Sequence, residues 1–376
     1  MGDHTSNTKK RTRKKNSRPS ILILCGGMGP GGKERQIIEL LKGLKRNNRF
    51  RTILAVGHLD GAREAEAAKW ADQVWRIRRL SRYDLITPLI DLILRLKKDK
   101  IDVIHTWGGG IWDLYGWVAR RILHIIFIHG GIRSAPLFLD MANKISRWAA
   151  YHADVIVANS QAGLDSFGFQ NHPRARVIYN GVDLSRFIGI ETSPENQSTV
   201  CMVANFSDKK DHITSIYALP LIMKSFPDAR LVLVGHDAGT LESTRNLVND
   251  LGLSQAVRFV TDTLNPEPFI AGSQICILTS FTEALSNSIL EYMGMHKPVI
   301  ATANSGNAEV VDSGKTGFLI PPNSPEILAE HIIRLLRNPE LARSMGKAGY
   351  KRLVEIFSLE RMVDSYEDQY SSLLEE

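Results

Sequence analysis

The sequence predicts an α/β protein built from two doubly wound, Rossmann-like domains in tandem that face an interdomain cleft. Three observations carry this. Short apolar or β-branched runs alternate with amphipathic stretches from Ile21 almost to the C-terminus, the pattern of βαβ crossovers around a mostly parallel sheet. The alternation lapses once, over a polar segment after Asn180, and then restarts. The chain has 376 residues, more than one hydrophobic core usually holds.

Taken in order, residues 1–18 carry seven Lys/Arg against Asp3 and no apolar cluster, which predicts a disordered basic tail. Residues 19–180 form the first domain. Ile21–Cys25, Arg51–Val56, Ile101–His105, Ile125–His129, Asp154–Ala158 and Arg176–Ile178 read as strands, and Glu34–Arg46, Thr87–Lys98, Trp112–Ile122 and Leu139–His152 as helices. Asn180-Gly181-Val182-Asp183 is a turn, and the polar stretch to Ser198, with Pro194, reads as the linker. Over residues 199–357 the strands are Thr199–Ala204, Arg230–Val234, Arg258–Val260, Gln274–Leu278, Val299–Ala301 and Gly317–Ile320. The helices are His212–Lys224, Glu242–Leu251, Ser288–Met295, Pro325–Arg337 and Pro339–Phe357, with Ser358–Leu374 as a last amphipathic helix returning to the first domain.

Composition narrows the class. Apolar residues make up 43% and charged residues 23%, ordinary for a globular protein, and no apolar run reaches the length of a membrane span. The basic N-terminus leads into a short strand and glycines rather than a signal peptide, so a cytoplasmic protein is expected. Cys25, Cys201 and Cys276 sit in strand-like runs without metal-ligand spacing, as buried thiols do. Positive charge is uneven: residues 19–180 carry 24 Lys/Arg against 14 Asp/Glu, and residues 181–376 carry 16 against 25. One half therefore suits an anionic partner, either nucleic acid or an anionic membrane surface.

Two segments carry chemistry. The first strand runs into Cys25-Gly26-Gly27-Met28-Gly29-Pro30-Gly31-Gly32 and a helix opening at Lys33-Glu34-Arg35; glycines admit a ligand close to the backbone, and a helix N-terminus attracts phosphate. A tight structural turn is the other reading. The second segment, Thr279 to Glu291, follows an apolar strand and enters a helix. Ser286 is placed to cap that helix, leaving the Asn287 and Ser288 amides for phosphate. Glu283 precedes the helix and Glu291 lies in its second turn, positions suited to the vicinal hydroxyls of a sugar and a ribose. A solvated Glu283 and a Glu291 that merely complements the helix dipole fit the residue types equally well.

These glutamates, eight positions apart, together with Gly294-Met295-His296-Lys297-Pro298-Val299-Ile300-Ala301, resemble the retaining glycosyltransferases of family 4. So do Gly31-Gly32-Lys33-Glu34-Arg35, Asn180-Gly181-Val182-Asp183 with Phe187, Glu309-Val310-Val311 and Gly314-Lys315-Thr316-Gly317-Phe318-Leu319, in the same order along the chain. The resemblance implies a glycosyltransferase B-type fold with a nucleoside diphosphate sugar as co-substrate and no other cofactor. It implies that Glu291 binds the nucleotide ribose, Glu283 the donor sugar and Lys210 the diphosphate, with Gly31, Gly32, Leu285, Ser286, Asn287 and Ser288 also at the donor. Base contacts are expected near Thr261, with uridine the commonest nucleotide and guanosine its competitor. The family often has Gly-Arg-Leu before the lysine; here Ala204-Asn205-Phe206 replaces it, so Asn205 offers only a neutral hydrogen bond.

The resemblance also places His129 against the donor sugar at the reaction centre. His105, Trp107 and Arg133 are expected on the acceptor side, Trp107 as a platform; a packed aromatic is the alternative. Retention would proceed by attack on the face the leaving group departs from, the leaving phosphate taking the acceptor proton, without a metal ion. Arg76, Arg78, Arg79 and Arg82, near Trp70 and Trp75, suit the headgroup region of an anionic membrane, which predicts peripheral attachment at its inner face and a lipid-linked or envelope-polysaccharide acceptor. A sugar-nucleotide epimerase on the same fold and a basic nucleic-acid-binding module are the competing readings; no nucleic-acid motif supports the latter.

Overall fold

The computed structural model describes residues 18–57, 61–81, 83–132, 140–190, 198–261 and 263–375. The linker residues 191–197, Arg82, Arg133, Leu139 and nearly all of the N-terminal tail lie outside the described residues.

The first elements are β1 (Ser20–Cys25), α1 (Gly32–Asn47), β2 (Arg51–Val56), α2 (Glu64–Ala68), β3 (Gln73–Arg76), α3 (Thr87–Asp99), β4 (Val103–Thr106), α4 (Ile111–Leu123), β5 (Ile126–Ile132), α5 (Met141–Tyr151), β6 (Val155–Ala158), α6 (Gln161–Phe167) and β7 (Ala175–Val177). After a 3₁₀ turn, Leu184–Phe187, come β8 (Thr199–Val203), α7 (His212–Met223), β9 (Arg230–Val234), α8 (Leu241–Asp250), β10 (Val257–Val260), α9 (Glu267–Ala271), β11 (Ile275–Leu278) and α10 (Asn287–Gly294). The chain ends with β12 (Val299–Thr302), α11 (Ser305–Val310), β13 (Gly317–Ile320), α12 (Pro325–Arg337), α13 (Pro339–Ile356) and α14 (Leu359–Glu375).

Among the described residues two sheets result, of seven strands in the order β3-β2-β1-β4-β5-β6-β7 and of six in the order β10-β9-β8-β11-β12-β13. The central pairings are parallel, as in Ile21↔Thr52, Ile21↔Val103 and Ile275↔Val200. The strands are continuous apolar runs because helices cover both faces: Leu22, Leu24, Ile104 and Phe127 are in the first core, and Met202, Leu233, Ile277 and Ile300 in the second. The fold is the doubly wound α/β architecture expected.

Differences from the expectation are local. Strand β3 escapes a reading by hydrophobic pattern because it is a sheet edge, with Gln73 and Arg76 exposed. Helices α2, α6, α9 and α11 have five to seven residues, too few for a helical period to register. The compact units also divide elsewhere than at residue 180. One takes the described residues up to Val157, His172–Arg176 and the stretch from Val363; the other takes Ala158–Asn171 and Val177–Met362. Helix α6 belongs with the second unit because Glu309, on α11, accepts hydrogen bonds from the Gln161 and Ala162 amides at 2.9 and 2.7 Å.

Candidate functional site

In each sheet the strand order reverses next to the first strand of its unit: between β1 and β4 in one, between β8 and β11 in the other. Ligands of open α/β sheets bind beyond the carboxyl ends of the strands at such points. In the second unit the loops that leave β8 and β11 carry Lys210 and Glu283, and backbone bonds stitch these loops together. The Asp211 amide donates to the Thr279 carbonyl at 3.1 Å, the Phe281 amide to the Lys209 carbonyl at 3.0 Å, and Lys210 bridges to Ser280. Lys210 Nζ and Glu283 Oε1 form an ion pair.

Helix α10 is fixed over the same point. Ser286 caps it, accepting from the Ile289 amide, as its position in the sequence predicts. Ser288 donates to the Val203 carbonyl at 2.7 Å. Tyr292, fully buried, accepts from the Val203 amide at 2.6 Å and donates to the Ile277 carbonyl at 3.2 Å, which ties α10 to both central strands. Asn287 accepts from the Asn180 side chain at 2.8 Å, and Leu285 is buried. Asn205 is exposed and accepts from the His236 amide at 3.2 Å. Thr261, just past β10, is half-buried.

Glu291 is more enclosed than the sequence suggests. Arg186 donates to it at 2.9 Å and to Glu267 at 2.5 Å, and all three side chains are buried or nearly so. Neither Arg186 nor Glu267 is singled out by sequence pattern: Arg186 sits inside the Asp183–Phe187 motif but its partners are 81 and 105 residues away. Gly306 is a further residue that the pattern misses. A Cβ there would stand 1.9 Å from the Ala284 carbonyl oxygen and 2.5 Å from that of Glu283, so the bare backbone of α11 is what lets the Glu283 loop lie where it does.

In the first unit, Gly31 and Gly32 open α1, with Gly31 as its N-cap. No glycine from Gly26 to Gly32 has a positive φ, so a left-handed turn is not the reason for them. His129 lies in β5, nearly inaccessible, with Nε2 3.1 Å from Ser146 Oγ and 3.3 Å from Asp113 Oδ2. Ser146 donates to Asp113 at 2.7 Å, so its oxygen is left to accept and His129 Nε2 carries the hydrogen. His129 Nδ1 has no hydrogen-bond partner among the described residues. Burial would raise the pKa of Asp113, but the His129 charge and the hydrogen bonds from His129 and Ser146 outweigh it, and the carboxyl is held below its usual range.

Three expectations are corrected. His105 is fully buried; its Nδ1 lies 2.8 Å from the Tyr370 hydroxyl and accepts from the Trp107 indole at 3.2 Å. Trp107, 5% exposed, packs against Tyr366 on α14. These side chains are therefore enclosed core groups and present no open acceptor platform. Trp75 is likewise core, 2% exposed, so its indole cannot meet a headgroup; alternation along β3 turns it inward while Arg76 points out. Trp70 is half-buried with the Lys42 ammonium over its ring at 5.8 Å. Arg133, expected near His129, lies outside the described residues.

Comparison with known proteins agrees with this fold. The family model described as Glycosyltransferase Family 4 matches residues 30–186, and the one described as Glycosyl transferases group 1 matches residues 185–352. Among curated relatives, the lipopolysaccharide core biosynthesis glycosyltransferase LpsE of Rhizobium meliloti is 25% identical over 89% of this chain and 94% of its own length. The N-acetyl-alpha-D-glucosaminyl L-malate synthase of Bacillus anthracis is 27% identical over 76% of this chain and 80% of its own. The putative glycosyltransferase EpsD of Bacillus subtilis is 27% identical over 61% of this chain and 64% of its own. Among solved structures, Anabaena HepE in complex with UDP-glucose superposes with a TM-score of 0.82 at 22% identity, covering 94% of this chain and 99% of that one.

Proposed function

The chain belongs to the group 1, family 4 glycosyltransferases, and from that premise we propose that it moves a sugar from a uridine diphosphate sugar to a lipid-linked or cell-envelope glycan acceptor, with retention at the anomeric carbon. The observation that carries the reading is the meeting of Lys210, Glu283 and the capped N-terminus of α10 at the point where the second sheet reverses its strand order. A cation, a helix N-terminus and a sugar-binding carboxylate within one loop cluster suit a diphosphate-linked sugar.

A diphosphate is a stronger partner for an ammonium than one carboxylate. Donor binding would draw Lys210 to the phosphates and release Glu283 to the sugar hydroxyls. The Asn287 and Ser288 amides would complete the diphosphate site, with Leu285 and Ser286 setting the loop. Glu291, held by Arg186, would take the ribose, and backbone near Thr261 the base. Asn205 adds no charge, so Lys210 carries most of the neutralisation. In the first unit, taken by itself, His129 would hydrogen-bond a sugar hydroxyl through Nδ1, its ring fixed by Ser146 and Asp113, and the backbone at Gly31 and Gly32 would admit a ligand closely.

In the transfer, the bond from the anomeric carbon to the phosphate oxygen breaks while the acceptor oxygen bonds the same face. The acceptor proton passes to the departing phosphate. Positioning and charge stabilisation supply the rate enhancement. A lipid-linked acceptor would place this work at the inner face of a membrane; no helix among the described residues is long and apolar enough to cross one.

A thermal-shift panel of nucleoside diphosphate sugars tests the donor: at 100 times its dissociation constant the true donor stabilises by about 2.7 kcal/mol. Glu283→Gln and Lys210→Ala should each lower transfer by about 100-fold or more. An inverted product anomer sinks retention, and conversion of the donor sugar without any acceptor replaces transfer with epimerisation. No stabilisation by any member of the panel sinks the donor reading.

A further inference from the structure

Helix α3 is apolar on two opposite faces. Pro88, Leu92 and Leu96 are buried, the two leucines in the first core. Ile86, Ile90 and Leu94 follow one another at four-residue steps and are 70%, 54% and 62% exposed. Residues four apart share a helix face, so these three form an open stripe on the far side from the buried one. A helix at a protein surface normally carries a single apolar stripe, and one that is apolar all round is enclosed. The outer face of α3 is therefore short of a partner.

The segment entering α3 enlarges the stripe. Leu80, Tyr83 and Leu85 are 69%, 75% and 52% exposed, and the backbone that carries them is pinned. Asp84 accepts the amides of Leu80, Ile86 and Thr87 at 2.9, 3.2 and 3.0 Å. Tyr115 donates to the Leu85 carbonyl at 2.8 Å, and Asp91 accepts the Arg78 amide at 2.9 Å. The Leu80 amide, first among these donors, holds the Asp84 carboxyl below its usual range, so it stays charged and keeps the loop in place. These bonds hold the described backbone around Leu80, Tyr83 and Leu85, and their side chains remain exposed.

Positive charge predominates around this surface. Residues 76–100 carry eight Lys/Arg against three Asp, and two of those aspartates, Asp84 and Asp91, are the ones engaged in holding the loop. Lys98 stands at the next four-residue step after Leu94, with Lys97 beside it, both exposed, as are Arg76 and Arg78. Long cationic chains can lie along apolar surface with their charges in the headgroup layer. Apolar chains flanked by cations match the boundary of an anionic bilayer.

We propose that the outer face of α3, with Leu80, Tyr83 and Leu85 ahead of it, docks on an anionic lipid bilayer, Leu80, Tyr83, Ile86, Ile90 and Leu94 entering the acyl boundary while Arg78, Lys97 and Lys98 meet the headgroups. The assignment rests on the reading of a lipid-linked acceptor at a membrane, and it replaces Trp75 as the apolar contact.

The test is co-sedimentation of the full chain with phosphatidylcholine vesicles, with and without phosphatidylglycerol, alongside the double variant Ile90→Glu/Leu94→Glu. Both positions are open, so the variant should keep its melting temperature and its thermal shift with the donor. The wild type should bind the phosphatidylglycerol vesicles in a salt-sensitive way, and the variant should lose about tenfold or more in apparent affinity. Equal binding by both proteins overturns the assignment of this surface while leaving membrane attachment standing. No vesicle binding by the wild type overturns membrane attachment and the surface together. A wild-type dimer that the variant abolishes, with vesicle binding unchanged, gives the stripe to a second copy of the chain and overturns the proposal.

Discussion

The Arg186 guanidinium separates two buried carboxylates, those of Glu267 and Glu291. Arg186→Ala would leave both without their cation in a place water hardly reaches, and breaking a buried pair in this way costs about 3–5 kcal/mol. Urea unfolding should show that loss, and adding Glu267→Gln should restore part of it; an unchanged midpoint would mean the carboxylates find water. At Gly306 the constraint is steric. Gly306→Ala pushes a methyl against the Ala284 and Glu283 carbonyl oxygens, and overpacking of this kind costs about 1–3 kcal/mol. Because the atoms displaced belong to the Glu283 loop, donor binding should weaken even where the variant remains folded. Titration of the donor against the variant by calorimetry decides it, and wild-type affinity would show that the loop relaxes freely.

At the scale of elements, α14 is held to α1 through a missing side chain. A Cβ at Gly43 would lie 2.0 Å from Val363 Cγ2, and Val363 is branched and stiff. Gly43→Ala should lower the melting temperature by several degrees, corresponding to about 1–3 kcal/mol. Val363→Ala, mildly destabilising alone, should rescue it in the double variant; purely additive losses would show that the two helices do not press on each other there. The same helix end carries Tyr370 and Tyr366 onto His105 and Trp107, which is why the loop after β4 is closed rather than open. α10 shows the opposite use of packing. Tyr292 anchors it to both central strands, and its capped first turn stays at the carboxyl ends of β8 and β11, where a phosphate would meet it.

For the molecule as a whole, two buried histidines set an acid limit. Burial, with some repulsion from His129, lowers His105 to about 3, and burial lowers His212 to about 4. In the unfolded chain both return to about 6.5. Below that value the unfolded state binds more protons than the folded one, so stability falls as pH drops from about 6.5 towards 4 and is level above it, each group contributing up to about 1.4 kcal/mol per pH unit. Urea midpoints measured across this range should decline accordingly, and His212→Asn should flatten the decline. An equal slope in that variant would assign acid sensitivity to other groups. The two cores differ in which side chain reports: His105 stands among tyrosines and Trp107, whereas His212 stacks on Phe206 at 4.5 Å.

Much of this was legible in the residues alone. The order of most strands and helices follows from continuous apolar runs alternating with stretches of period 3.6; the Ser286 cap and the Glu283 loop follow from local chemistry at a strand–helix junction. Contacts between distant segments were not legible. Asp113 meets Ser146 across 33 residues, and Arg186 meets Glu291 across 105, with no pattern linking either pair. Nor could composition tell that Trp75 and Trp107 turn inward while Ile90 and Leu94 turn out. The sequence by itself determined the fold class, the order of the longer elements and the loops that carry Lys210 and Glu283. Only the tertiary structure decided which polar groups share a site and which apolar faces are covered, because periodicity is a property of chain neighbours and burial is a property of segments brought together by packing.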